Sequence, residues 1–197
     1  MSIEVLPYYQ AIPSLTTVED AVLVSMAQHG DFEAFDEIDR RYRSRLHHFL
    51  LRHTHCFHKA EDLTQQTLLR AFEMINQLRA GEKIAAWLLR IAFCIVVDEA
   101  RKSKRKPTTP LAEDVPGADA AVGENLVKEE ERTEIWTIVK HVLSEDEFWA
   151  VQLRYVENFN TDEIARVMSR SKISVRVLLF RARNRLLPYL SKIRELS

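Results

Sequence analysis

Residues 160–187, NTDEIARVMSRSKISVRVLLFRARNRLL, decide how this chain folds. Asn160 with Glu163 three positions later is a capping-box pattern, so a short helix is expected over 162–169. A tight break follows, then a longer arginine-loaded helix over 174–194. At about 100° per residue, Val175, Leu179, Ala182 and Leu186 share one narrow stripe, which is the core face. Val177, Phe180, Arg181 and Asn184 then point outward, with Arg176 and Arg183 on a flank. From Arg170 to Arg194 the bases are Arg170, Lys172, Arg176, Arg181, Arg183, Arg185, Lys192 and Arg194, and no acid lies between them. Such a span attracts phosphate in a salt-dependent way. Short helix, break, basic helix is the layout of a helix-turn-helix, whose second helix enters the DNA major groove. The plainer alternative is a solvated amphipathic helix; the capped helix and short break before it weigh against that.

The rest of the chain bounds this reading. Its 197 residues allow one large or two small domains. Hydrophobic residues make up 46%, and Gly (4) and Pro (6) are scarce, which favours helices. The net charge of −1 supplies no global attraction for DNA, so any binding rests on local charge asymmetry. Cys56 and Cys94 make no disulfide framework and are expected as buried small apolar residues. No basic stretch precedes an apolar core at the N-terminus, so no signal peptide is expected. The apolar run Ile84–Val97 is broken by Arg90 and is too short to span a bilayer. A cytoplasmic protein without membrane insertion is expected.

Helical periodicity is present over 18–29, 32–51, 59–78, 84–105, 133–143 and 145–157 as well, and Ser144 with Glu147 forms a second capping box. On 59–78, Leu68, Ala71, Phe72 and Ile75 share a side. No alternating strand pattern or internal repeat is seen. Residues 107–134 concentrate acids and hold Pro107, Pro110, Pro116, Gly117 and Gly123. This reads as a flexible acidic linker. The expected fold class is all-α: an N-terminal extension (1–15), a helical domain (16–106), the linker (107–130) and a helix-turn-helix domain (131–197).

Two further surfaces stand out. Arg101, Lys102, Lys104, Arg105 and Lys106 crowd the end of the 84–105 helix, more cations than its dipole requires, and read as a phosphate-contacting patch. The preceding connection, 76–83, is polar, contains Gly81 and is placed on the surface. Trp87 is expected in the core rather than as a stacking platform. On the 59–78 helix, Asp62, Gln66, Leu69 and Glu73 recur on the exposed side with Arg70 beside them; a leucine among acids and amides suits a protein contact.

These blocks resemble the bacterial extracytoplasmic-function (ECF) group of RNA polymerase sigma factors. AEDLTQQTLLRAF (60–72) is similar to that family's second-region helix, and AAWLLRIAFCIVVDEARKSKRK (85–106) to the helix that melts and reads the minus-ten element. LSEDEFWAVQLRYVENFNTDEIARVM (143–168) with VLLFRARNRL (177–186) resembles the fourth region, which binds the minus-thirty-five element and the polymerase flap. The resemblance implies that Asp62, Gln65, Gln66, Leu69 and Glu73 face the clamp helices of core polymerase. It implies that the 76–83 loop captures a flipped base, with Asn76, Arg79, Lys83, Arg90, Arg101, Lys102 and Arg105 on the minus-ten strand. Lys172, Ser174, Arg176, Val177, Phe180, Arg181 and Arg183 would then lie in or beside the minus-thirty-five major groove. Two departures are visible. Ile173 stands where the family places a small residue such as Gly, and Arg176-Val177-Leu178 replaces a usual polar run. The recognition surface is thereby more apolar, suited to thymine methyls or to a covering protein.

What the resemblance implies is a promoter-specificity subunit, no enzyme, with no catalytic residues, cofactor or metal. Its partners would be RNA polymerase core, promoter DNA and, where one exists, an anti-sigma factor, and it would join the nucleoid when in holoenzyme. About 25 linker residues reach roughly 80 Å when extended, enough to cover two DNA turns of roughly 70 Å. Two rival readings remain open here. One is a helix-turn-helix regulator that never meets polymerase. The other is a metal-binding sensor built on His53, His55, Cys56 and His58, with His47 and His48 nearby, although their spacing matches no closed zinc motif.

Overall fold

The computed structural model describes residues 15–105 and 136–195, with side chains through 102 and from 136 to 189. The expected acidic linker, the N-terminal extension and the side chains of Lys104 and Arg105 lie outside the described residues. The described residues are helical: α1 (Asp20–Gln28), α2 (Phe32–Thr54), α3 (Phe57–Met74), a 3-10 turn (Ile75–Gln77), α4 (Ile84–Arg105), α5 (136–142), α6 (Glu145–Tyr155), α7 (Thr161–Val167) and α8 (Lys172–Glu195). No strand occurs among them.

The helix ends follow the local chemistry. Asp31 caps α2 by accepting from the Ala34 N–H at 3.2 Å, and α2 ends where His55 turns left-handed at φ 52°. Both expected capping boxes form. Asn160 Oδ1 accepts from the N–H groups of Asp162 (2.9 Å) and Glu163 (3.0 Å), while the Asn160 N–H donates to Glu163 Oε2 (2.8 Å). The Ser144 N–H likewise donates to Glu147 Oε2 at 2.9 Å. Each box satisfies backbone donors that a helix start otherwise leaves open.

In the first half, α1 to α4 pack around Leu23, Ile38, Leu46, Phe49, Leu63 and Leu88, all essentially inaccessible to water. Trp87 is 1% exposed and belongs to this core, as expected. Arg41 ties α1 to α2 by pairing with Glu37 (2.7 Å) and Asp20 (2.8 Å) and donating to the Leu15 carbonyl (2.7 Å). The Tyr42 hydroxyl donates to Asp20. In the second half, α6, α7 and α8 pack on one another over Phe148, Leu153, Ile164, Val175 and Ala182.

The two halves are not merely tethered; they share a packed seam. Helix α7 lies on α4, and Trp149 of α6 is fully buried against Phe49 and His53 of α2 and Phe93 of α4. Gln152 donates to the Phe49 carbonyl at 2.8 Å. Periodicity marks Trp149 as apolar but cannot say that its neighbours come from the other end of the chain.

Several expectations are corrected. Cys56 and Cys94 are exposed, not buried. Cys56 occupies the turn before α3, and Cys94 lies on the α4 side that lines an open cleft. Phe72 is 40% exposed rather than in the core row with Leu68, Ala71 and Ile75; it rests on the exposed ring of Phe32, 5.8 Å away. At this point of α3 the apolar stripe is wider than the helix it covers, so its edge stays wet.

Candidate nucleic-acid interface

The C-terminal surface is built by the core stripe of α8. Val175 and Ala182 are fully buried and Leu179 and Leu186 half-buried, which turns the opposite side outward. There Val177 is 40% and Phe180 65% exposed, with Arg176, Arg181 and Arg183 exposed beside them. Ser174 is half-buried in the first turn, its N–H held by the Ser171 hydroxyl at 3.1 Å. The tight turn before α8 uses Ser169 at φ 51° as its left-handed residue. Ile173 already lies within α8, 73% exposed, so its side chain meets no backbone demand for glycine.

The charge of this helix is less open than the sequence implies. Acids from neighbouring helices reach it: Asp146 pairs with Arg170 (2.7 Å), Asp162 with Lys172 (2.8 Å) and Glu147 with Arg185 (3.0 Å). No ion pair among the described residues involves Arg176, Arg181 or Arg183. The cationic surface is therefore narrowed to the flank next to Val177 and Phe180.

The N-terminal surface centres on the turn after α3. Gln28 Nε2 of α1 donates to the carbonyls of Ile75 and Leu78, each at 2.9 Å, and so pins the base of the 76–83 loop. Gly81 takes φ 79°, a left-handed turn that suits glycine. Behind the loop lies a cleft of about 700 Å³ lined by Arg70, Gln77, Arg79, Trp87, Arg90 and Cys94, among others. Arg90 is half-buried and held by Glu82 at 3.1 Å. Although Cys94 is exposed, desolvation by the surrounding cleft wall, with Asp98 nearby, raises its thiol pKa. Asn76, Arg79 and Lys83 are exposed on the loop, and Arg101 and Lys102 are exposed one helical face further on. Arg101 leans on Asp98 at 3.6 Å. Lys83 does not face solvent alone: its ammonium meets Glu163 of α7 at 2.8 Å. Burial pushes the Glu163 carboxyl up, but hydrogen bonds from Lys83 and from the Asn160 N–H outweigh it, and its pKa falls. Neither Gln28 nor Glu163 was assigned a part in this loop by sequence reasoning. Both lie far from it along the chain, and no local pattern marks them.

The third surface is the outward side of α3. Asp62, Gln65, Gln66 and Glu73 are exposed around Leu69, itself 62% exposed. The structure therefore brings the residues expected to meet one protein partner onto one helix. The histidine group is dispersed instead. His53 stacks on Trp149 at 4.4 Å, while His47 packs edge-on against Phe57 at 4.8 Å. Among the described residues no His, Cys, Asp and Glu converge as a metal-binding group. Nor is any described helix long and apolar enough to cross a membrane.

The chain is similar to known proteins. Residues 38–106 match the family described as Sigma-70 region 2, and residues 141–186 match Sigma-70, region 4. The chain is 30% identical over 181 residues to the RNA polymerase sigma-H factor of Pseudomonas aeruginosa, covering 86% of this chain and 92% of that one. It is 32% identical over 155 residues to the ECF RNA polymerase sigma factor SigM of Bacillus subtilis, covering 77% and 91%. Among solved structures, the sigma factor RpoE of Bartonella quintana in complex with the anti-sigma factor NepR aligns with a TM-score of 0.62 at 21% identity. That alignment covers 80% of this chain and 96% of that one, and bears on the fold.

Proposed function

Because the chain belongs to the ECF group of RNA polymerase sigma factors, we propose that its three exposed surfaces divide the work of promoter selection. The protein directs bacterial RNA polymerase to specific promoters and initiates transcription there. The observation that carries the division of labour is the coexistence, on one chain, of the exposed α3 row around Leu69 and the exposed α8 flank of Arg176, Phe180, Arg181 and Arg183.

In this reading Asp62, Gln65, Gln66, Leu69 and Glu73 dock on the clamp helices of core polymerase. Asn76, Arg79, Lys83, Arg90, Arg101, Lys102 and Arg105 hold the minus-ten strand. Unstacking a base costs a few kcal/mol, and its capture in the cleft behind Gly81 offsets that cost and keeps the duplex open. Lys172, Ser174, Arg176, Val177, Phe180, Arg181 and Arg183 approach the minus-thirty-five element. The arginines bind phosphates or guanine edges, and Val177 and Phe180 bind thymine methyls. The linker, 107–130, spans the two elements. The protein acts by positioning and carries out no chemistry of its own. It works in the cytoplasm, on the nucleoid when in holoenzyme, and an anti-sigma factor is a fitting partner, as the complex of the Bartonella protein with NepR suggests.

Transcription reconstituted from core polymerase, this chain and genomic DNA of its host tests the reading: defined start sites are expected, and none at any promoter would end it. Replacing Arg181 and Arg183 by Ala should weaken promoter-fragment binding and lower the slope of log affinity against log salt by roughly one per arginine. An unchanged slope would remove both residues from the DNA surface.

A further inference from the structure

Helix α8 carries a second apolar row, opposite its core stripe. Ile173 (73% exposed), Val177 (40%), Phe180 (65%), Asn184 and Leu187 (50%) recur along it at spacings of 4, 3, 4 and 3. At about 100° per residue they fall within a stripe roughly 80° wide. Isolated apolar residues on a surface are ordinary. Four large ones in heptad order, with a single asparagine among them, are the pattern of a helix that pairs with another helix. DNA does not account for the whole row. A recognition helix reads bases with its N-terminal residues, whereas Leu187 lies about 21 Å further along α8 than Ile173. We propose that this row docks an acidic amphipathic helix of a protein partner, which excludes minus-thirty-five DNA from α8 while it is bound. That exclusion rests on the sigma-factor reading of α8.

The flanks of the row define the partner's chemistry. Arg176 and Arg183 border it on one side and Arg181 on the other, all exposed. These are the positions that flank a paired helix seam and select its partner by charge. A second copy of this chain is the wrong occupant. Parallel pairing would set Arg176 against Arg181 of that copy, and antiparallel pairing would set it against Arg183; like charges so placed repel. Acids on the flanks of an incoming helix would instead meet three arginines that no acid among the described residues holds. Arg170, Lys172 and Arg185 differ in this respect, being taken by Asp146, Asp162 and Glu147. Asn184 makes the docking selective in register, because its amide needs a polar group opposite it once water is excluded.

The probe for this is a synthetic helix of roughly four heptads, with isoleucine and leucine on its apolar seam, one asparagine among them and glutamate on both flanks. Repulsion between the glutamates keeps it from pairing with itself. Fluorescence anisotropy of the labelled probe against the full-length chain should show saturable binding, and a host promoter fragment should displace it. Ile173→Ser combined with Leu187→Ser touches no residue assigned to DNA. It should weaken probe binding by about tenfold or more, with helicity and promoter-fragment affinity unchanged. A probe carrying lysine in place of the flanking glutamates should also bind about tenfold more weakly. The proposal is overturned by absence of saturable binding, by equal binding of the double variant or of the lysine probe, or by simultaneous binding of probe and promoter fragment. Self-association of the chain that the double variant abolishes would overturn it too, by making a second copy the occupant. If the probe binds with these dependences while the chain neither initiates nor binds any promoter, the docking row stands and the sigma-factor reading falls.

Discussion

Ser169 holds the turn between α7 and α8 at φ 51°, a backbone that side chains tolerate poorly. Ser169→Gly should therefore stabilise the fold by about 0.5–1 kcal/mol in urea titration; destabilisation would mean that the hydroxyl or the stiffness of serine matters more than the strain. Asn160 serves the same unit from its other end. Asn160→Ala removes both side-chain acceptor bonds at the start of α7 and should cost about 1 kcal/mol. The same measurement checks it, with no change counting against the cap. Asn160 was legible from its neighbours, since a capping box is written in four consecutive positions. The strain at Ser169 was not, because several backbones can make a break between two helices. Cys94 was misread for a related reason: a cysteine at an apolar-helix position looks buried until a cleft opens beside it.

At the scale of elements, the decisive device is the brace from α1 to the 75–78 turn. Gln28 supplies both hydrogen bonds to that turn, and no local motif could have revealed a contact that skips two helices. Gln28→Ala should leave those carbonyls to water and cost about 1–2 kcal/mol. It should also raise hydrogen exchange of the 76–83 amides more than that of α2 or α3; uniform exchange would show that the loop is held by other means. Helix α8 shows what periodicity can and cannot reach. Its core stripe of Val175 and Ala182, and its outward tip of Val177 and Phe180, followed from spacing alone. The neutralisation of Arg170, Lys172 and Arg185 did not, because Asp146, Asp162 and Glu147 sit on other helices.

At the scale of the whole molecule, the seam carries a pH dependence through His53. Burial, aided by Lys140, Lys59 and His55, lowers this imidazole to about 4. A released imidazole takes a proton near its ordinary value of about 6.5, whereas the seated one refuses it until about 4. The contribution of His53 to closure is thus fully present above about 6.5 and is lost as pH falls toward 4. Fluorescence of buried Trp149 should report opening over that window, and His53→Phe, which keeps a ring against Trp149, should flatten the response. An identical profile in both chains would assign the effect to other groups. The sequence by itself determined the helices, their caps, the outward faces of α3 and α8 and the family, because each is encoded in residues a few positions apart. Only the tertiary structure decided that the halves close on each other, that Lys83 answers to Glu163 and that Trp149 belongs to the seam. Those facts join residues as distant as Arg45 and Glu157, 112 positions apart, and a contact across that separation leaves no mark on the local periodicity of either partner.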